Sequence, residues 1–139
     1  MPTQNLLWVV LGGGLGAALR HGFSKAAYWL LGKGFPWGPL VANLVGCFLI
    51  GFLWATANRF SFPPNARLFI FTGTIGALTT FSTYGLESFM LLHEGRYAAG
   101  ITNIAVQNLL GIGLVVLGFA CAELLLEGSL SGILIGTET

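Results

Sequence analysis

The chain has 139 residues, of which 55% are hydrophobic and only 8% charged, and its mean hydropathy is +0.80. Soluble domains carry about 25% charged residues because their surface faces water, so most of this surface is expected to face lipid. Six Lys and Arg against five Asp and Glu, with no basic run, point away from a nucleic-acid partner.

Four apolar stretches are each long enough to cross a bilayer, which takes about 20 helical residues. They predict helices over residues 5–31, 37–58, 66–92 and 97–126, in one transmembrane domain over 1–127. The tail 128–139 is weakly patterned and has no assigned role. Between the stretches lie Gly, Pro and charged residues, including Pro63-Pro64, the expected punctuation of helices. Connections this short make neighbouring spans antiparallel. With no basic region or small-residue cleavage site ahead of it, the first stretch reads as an uncleaved span.

The first stretch carries Gly12-xxx-Gly16, Gly13-xxx-Ala17 and Gly14-xxx-Ala18, spacings that let helix backbones approach closely in lipid. Gly12-x-Gly14-x-x-Ala17 also fits a dinucleotide fingerprint. It lacks the preceding strand and the acidic residue about 20 positions on that such a motif needs. Arg20, within or near the end of this span, is either a snorkelling anchor or a functional charge. His21 and His93 have no ligand spacing, and Cys47 and Cys121 are isolated in apolar sequence.

In the second stretch Asn43 is the strongly polar side chain. Its amide either bridges helices or donates its NH₂ to a passing anion. The third stretch holds Thr79, Thr80, Ser82 and Thr83, four hydroxyl residues in five positions, shortly after Gly76. Such residues are poor helix formers, and irregular backbone at membrane depth survives only inside protein or along a water-filled cavity. A break here is therefore expected, with carbonyls turned outward and hydroxyls available as donors. Glu87 lies one turn further on, as a proton relay, a partner for Arg20 or a residue of the mouth. The fourth stretch sets Asn103, Gln107 and Gly111 on one face, which must look into protein or water.

Taken together these motifs resemble the Fluc (CrcB-type) family of fluoride channels. Gly13-Gly14-Leu-Gly16-Ala17-Ala-Leu-Arg20 is similar to its first-helix motif and Asn43-x-x-Gly46-x-Phe48-x-x-Gly51 to its second. Gly73-x-x-Gly76-x-x-Thr79-Thr80-Phe81-Ser82-Thr83 is similar to its third-helix signature, and the run from Asn103 to Gly118 has its fourth-helix spacing. The resemblance implies an all-α integral membrane protein of four transmembrane helices per subunit, with a broken third helix. It further implies an antiparallel dual-topology homodimer in the inner (plasma) membrane, with two fluoride pores along the subunit interface. Asn43 would bind fluoride, Phe81 would supply a ring of the aromatic box, and Ser82 and Thr83 would be pore hydroxyls. The main-chain carbonyls of Gly76 and Thr79 would hold a structural Na⁺, while Arg20 and Glu87 would match the family's vestibule arginine and acidic residue. Three positions depart from the family pattern: Tyr84 stands for a second box phenylalanine, Ala77 for a second glycine and Gln107 for a serine.

The charges agree with dual topology. Arg59 and Arg67 fall on one side, against Lys33 and Arg96 (plus Lys25 if the end of the first helix counts) on the other. Orientation follows the Lys/Arg excess of short loops, and here the two sides nearly balance. The rival reading is a small proton-coupled multidrug-type exporter, in which Glu87 would have to be the binding carboxylate of a central cavity. A purely structural membrane protein is a third, and no nucleophile–base pair or metal cluster suggests an enzyme.

Overall fold

The computed structural model describes residues 3–135, with side chains described for residues 5–127. Among the described residues it is helical throughout its ordered elements. Helix α1 spans Thr3–Leu31, α2 Trp37–Arg59 and α6 Tyr97–Ile135, the last running past the end expected near residue 126. Among the described residues, three helices are long and apolar enough to cross a membrane: Asn5–Leu31, Trp37–Arg59 and Tyr97–Glu127. The chain is a membrane protein.

The third apolar stretch is built in pieces. It begins with a short turn, α3 (Pro64–Arg67), whose proline sits in the first turn where no amide hydrogen is needed. A π-helical segment follows over Leu68–Ile75, then a single α turn, α4 (Gly76–Leu78). Thr79 (φ −88°, ψ 151°) and Thr80 (φ −149°, ψ 108°) are extended, and α5 (Phe81–His93) resumes the helix. The break thus falls inside the hydroxyl-rich segment, as expected. The π segment is an addition the sequence did not announce, since π turns account for well under 1% of residues. Within it, the Thr74 hydroxyl donates to the Phe69 carbonyl five residues back, at 3.0 Å.

Glycine explains how tightly the elements pack. A Cβ at Gly12 or Gly16 would run into the Phe69 or Thr74 carbonyl, so α1 lies directly on the π segment's backbone. In the same way Gly51 faces the Val115 carbonyl and Gly118 the Phe48 carbonyl across the α2–α6 contact. Lipid supplies no hydrophobic drive between helices, so such backbone contact is what holds them. Of the three glycine rows expected in α1, only Gly12/Gly16 packs within the chain. Gly13 and Gly14 have open space where their Cβ atoms would be.

The connections sort to two ends. Arg96 donates to the Gly34 carbonyl, which ties the α1–α2 loop to the α5–α6 loop. Gly32 (φ 81°) and Gly95 (φ 76°) take left-handed backbone in those two loops. Beyond the α2 end, Arg67 donates to the carbonyls of Ala57 (3.1 Å) and Phe62 (3.4 Å) and to Asn58 Oδ1 (2.9 Å). Across the break the chain changes partners: the π segment and α4 pack on α1, whereas α5 packs on α6.

Candidate functional site

The break is held open by two side chains. In an unbroken helix the Thr80 amide would donate to the Gly76 carbonyl four residues back. Here it donates to Asn43 Oδ1 of α2, at 2.8 Å. The Thr83 amide would likewise close on the Thr79 carbonyl, but it points to Thr80 Oγ1 at 3.4 Å, so Thr80 caps α5. The Thr80 hydroxyl also lies 3.1 Å from Thr83 Oγ1 and 3.3 Å from Ser82 Oγ. A local excess of hydroxyls thus replaces the helical ladder at the one place it is interrupted.

Asn43 is also the end of a longer chain of bonds. Its Nδ2 donates to Gln107 Oε1 at 2.6 Å and, at a longer 3.4 Å, to the Thr80 carbonyl. Gln107 Nε2 donates to Asn103 Oδ1 at 3.2 Å, and Asn103 Nδ2 to Ser88 Oγ at 2.9 Å. The Ser88 hydroxyl donates to the Tyr84 carbonyl at 2.8 Å. Asn103 and Ser88 are buried, so the three amides join α2, α5 and α6 through a polar seam in apolar surroundings.

A cavity of about 270 Å³ opens beside this seam, lined among others by Asn43, Thr79, Thr80, Phe81, Tyr84 and Gln107. No charged side chain lines it. Its polar groups are amides, hydroxyls and backbone, and the Phe81 and Tyr84 rings flank it with centroids 5.3 Å apart. The Tyr84 hydroxyl accepts from Asn108 Nδ2 at 2.9 Å, which leaves the phenol hydrogen free to donate. Ring edges carry partial positive charge from the aromatic quadrupole. This neutral lining suits a small anion: it offers donors without a fixed positive charge that would trap it.

The residues singled out from the sequence fall into separate places. Asn43, Thr79, Phe81, Tyr84 and Gln107 share the first cavity. Arg20 and Thr83 line a second one, of about 270 Å³, on which Thr80 also borders. Thr80 is thus the wall between the two. Ser82 lines neither and is exposed in the single chain. Glu87 lines a third cavity of about 150 Å³ with Lys33, Glu94 and Arg96, at the loop end of the molecule. It therefore sits among the loops and not in the cavity that Arg20 lines. Thr80, Ser88 and Asn108 carry more of the site than their residue types suggested. Threonine is a favoured N-cap residue, and that is the signal that points to the first of them.

The Gly76 and Thr79 carbonyls were expected to hold Na⁺, and the backbone fits a hard cation. Both have lost their helical donors to the side chains of Asn43 and Thr80, and Gly76 is exposed. Main-chain carbonyls are the ligands that replace water around alkali cations in selectivity filters. Among the described residues, no group of three or more His, Cys, Asp or Glu offers a different kind of metal site.

Comparison with known proteins follows the same lines. The family model described as "CrcB-like protein, Camphor Resistance (CrcB)" matches residues 7–119. A protein of Salinibacter ruber named fluoride-specific ion channel FluC is 58% identical over 123 residues, 88% of this chain and 92% of that one. One of the same name from Aquifex aeolicus is 44% identical over 116 residues, 83% of this chain and 94% of the relative. Another, from Parabacteroides distasonis, is 40% identical over 110 residues, 79% and 86% of the two chains.

Proposed function

The chain belongs to the CrcB-like family, and from that membership and the cavity at its helix break we propose that it is a fluoride-specific passive ion channel and not an enzyme. The observation that carries this reading is the uncharged, mainly apolar lining around Asn43, interrupted by a few amide and hydroxyl donors. Fluoride is small and strongly hydrated, so a pore must replace its water without holding it fast. Several weak donor sites in series let an ion enter and leave. Asn43, the Tyr84 hydroxyl and the Phe81 edge supply such sites on one side of Thr80. Thr83 and Arg20 lie on the other, with Ser82 close by.

Transport in this reading runs down the electrochemical gradient. Neutral HF crosses membranes, dissociates in the cytoplasm and leaves F⁻ behind. A membrane potential of about 100 mV, negative inside, favours its exit through a channel by roughly 2.3 kcal/mol per charge. The protein would thereby relieve fluoride toxicity in the plasma membrane, the inner membrane where a cell has two.

The working unit is an antiparallel dual-topology homodimer of four-span subunits. The two tied loop ends support four crossings, with residues 64–93 passing from one end to the other. Polar groups facing lipid are costly, yet Ser82 and Asn108 are exposed on the single chain and Phe81 beside them is 81% exposed. A second copy covering that face removes the cost. Carbonyls of Gly76 and Thr79 from both copies would then surround one structural Na⁺ on the two-fold axis. Anomalous scattering or a density map of the dimer tests this. The expected result is one ion with oxygen-only ligands, and a dimer axis without an ion would refute it.

A proton-coupled exporter requires a carboxylate in the central cavity. Glu87 lies in a different cavity, among the loops, which favours the channel. The deciding experiment is release of fluoride from liposomes containing purified protein, with chloride as control. Rapid F⁻ release without a proton requirement is expected. Equal Cl⁻ release, or none of either, would reject the assignment.

A further inference from the structure

We infer that Ser88 and Asn103, which do not touch the cavity, are positioning residues that make Gln107 and Asn43 present N–H groups to an anion instead of carbonyl oxygens. The inference rests on the channel reading and adds to it the residues that set the sign of the lining.

A carboxamide is amphoteric, with two N–H donors and one acceptor oxygen. Left free, Asn43 and Gln107 can each turn either end toward a passing ion, and an oxygen facing the cavity repels fluoride and attracts a cation. The hydrogen-bond chain removes that choice because its two ends have fixed polarity. At one end the Thr80 backbone N–H can only donate, and Asn43 Oδ1 accepts it at 2.8 Å. At the other the Tyr84 backbone carbonyl can only accept, and the Ser88 hydroxyl donates to it at 2.8 Å. Ser88 Oγ, its hydrogen so engaged, accepts from Asn103, which accepts from Gln107, which accepts from Asn43. Every bond points the same way.

The consequence is a simple count. In a one-way chain each NH₂ donates once along the chain: Gln107 keeps its second N–H unspent, and the second N–H of Asn43 makes only the long 3.4 Å contact with the Thr80 carbonyl, which an anion can take over. For the two amides that line the cavity, the oxygens are turned toward their chain donors, and the end of each amide left to face an anion is its NH₂. Asn103 shows how strict the arrangement is: it is fully buried, and among the described residues no buried side-chain nitrogen or oxygen lacks a partner. Turning any single amide over would set oxygen against oxygen or N–H against N–H at its joints. Such a chain also polarises along its length, so a change at Ser88 is felt at Asn43 without altering the cavity wall.

The test removes the far end. Ser88→Ala leaves Asn103 Nδ2 without its acceptor and frees Asn103 and Gln107 to turn. One hydrogen bond is worth about 1 kcal/mol, so the half-saturating fluoride concentration in liposome release should rise about five-fold. Ser88→Cys, which keeps a weak donor and acceptor, should recover part of the shift. A merely structural role would lower the fraction of active liposomes and leave half-saturation where it is, and that result overturns the proposal. A second measurement uses the unsubstituted protein with ¹⁵N-labelled asparagine. Added fluoride should move the side-chain amide signals of Asn43 and of Asn103, which has no contact with the cavity, and leave that of Asn65 in place. A shift at Asn43 without one at Asn103 also overturns it. Fluoride release by the unsubstituted protein, measured in the same series, reports on the channel reading separately.

Discussion

Replacing Asn43 by leucine separates what this side chain holds from what it offers. Leucine has nearly the same volume and neither donor nor acceptor. It leaves the Thr80 amide without the oxygen now 2.8 Å away and Gln107 Oε1 without the donor now 2.6 Å away. Each group left unpaired costs about 1–3 kcal/mol, so the pair costs roughly 2–6 kcal/mol. The adjoining cavity of about 270 Å³ has room for several waters at ~30 Å³ each, and rehydration there holds the total near the lower end, about 2 kcal/mol. On the scaling for soluble domains of similar size, that lowers Tm by roughly 5–10 °C, measurable by circular dichroism in detergent. Asn43→Asp gives the contrast. It keeps an oxygen for Thr80 but sets a second, potentially negative oxygen against Gln107 Oε1 and removes the N–H, so it should lose fluoride release even where the fold is retained. A leucine variant that melts unchanged, or an aspartate variant that releases fluoride at the original rate, would refute the reasoning.

Three further outcomes are expected. Thr80→Ala removes the cap of α5 and should cost about 1 kcal/mol in thermal melts, while Thr80→Ser stays close to the original. Gly12→Ala should block folding, because its Cβ meets the Phe69 carbonyl, whereas Gly13→Ala should give folded monomer units in size-exclusion and melting assays. Glu87→Gln should leave fluoride release from liposomes within about two-fold, well inside the tenfold that 1.4 kcal/mol represents, since Glu87 lies outside the Asn43 cavity. A loss of transport tied to the proton gradient in that variant would revive the exporter reading.

Composition and punctuation determined the class of this protein. Among the described residues, three membrane-capable helices follow from apolar length alone, and their ends fall within a few residues of the Gly, Pro and charged breaks, except that α6 continues to Ile135. Hydroxyl density likewise determined that the third stretch would break, because Thr79–Thr83 hold too many competitors for backbone hydrogen bonds. Family membership was legible for the same reason: the motifs are contiguous strings. Tertiary structure alone decided the rest. Whether Asn43 bridges or donates depends on which atoms of Gln107 and Thr80 lie within reach, residues 64 and 37 positions away. It bridges: its oxygen takes the Thr80 amide, and its Nδ2 donates to Gln107 Oε1 and, at 3.4 Å, to the Thr80 carbonyl. The π segment is where the α1 glycines seat directly against the backbone of another element. Arg20 and Glu87 share a family motif set but line different cavities, because α5 leaves α1 at the break and packs on α6. Local sequence fixes which backbone bonds are weak, and only the packing of distant helices fixes what replaces them.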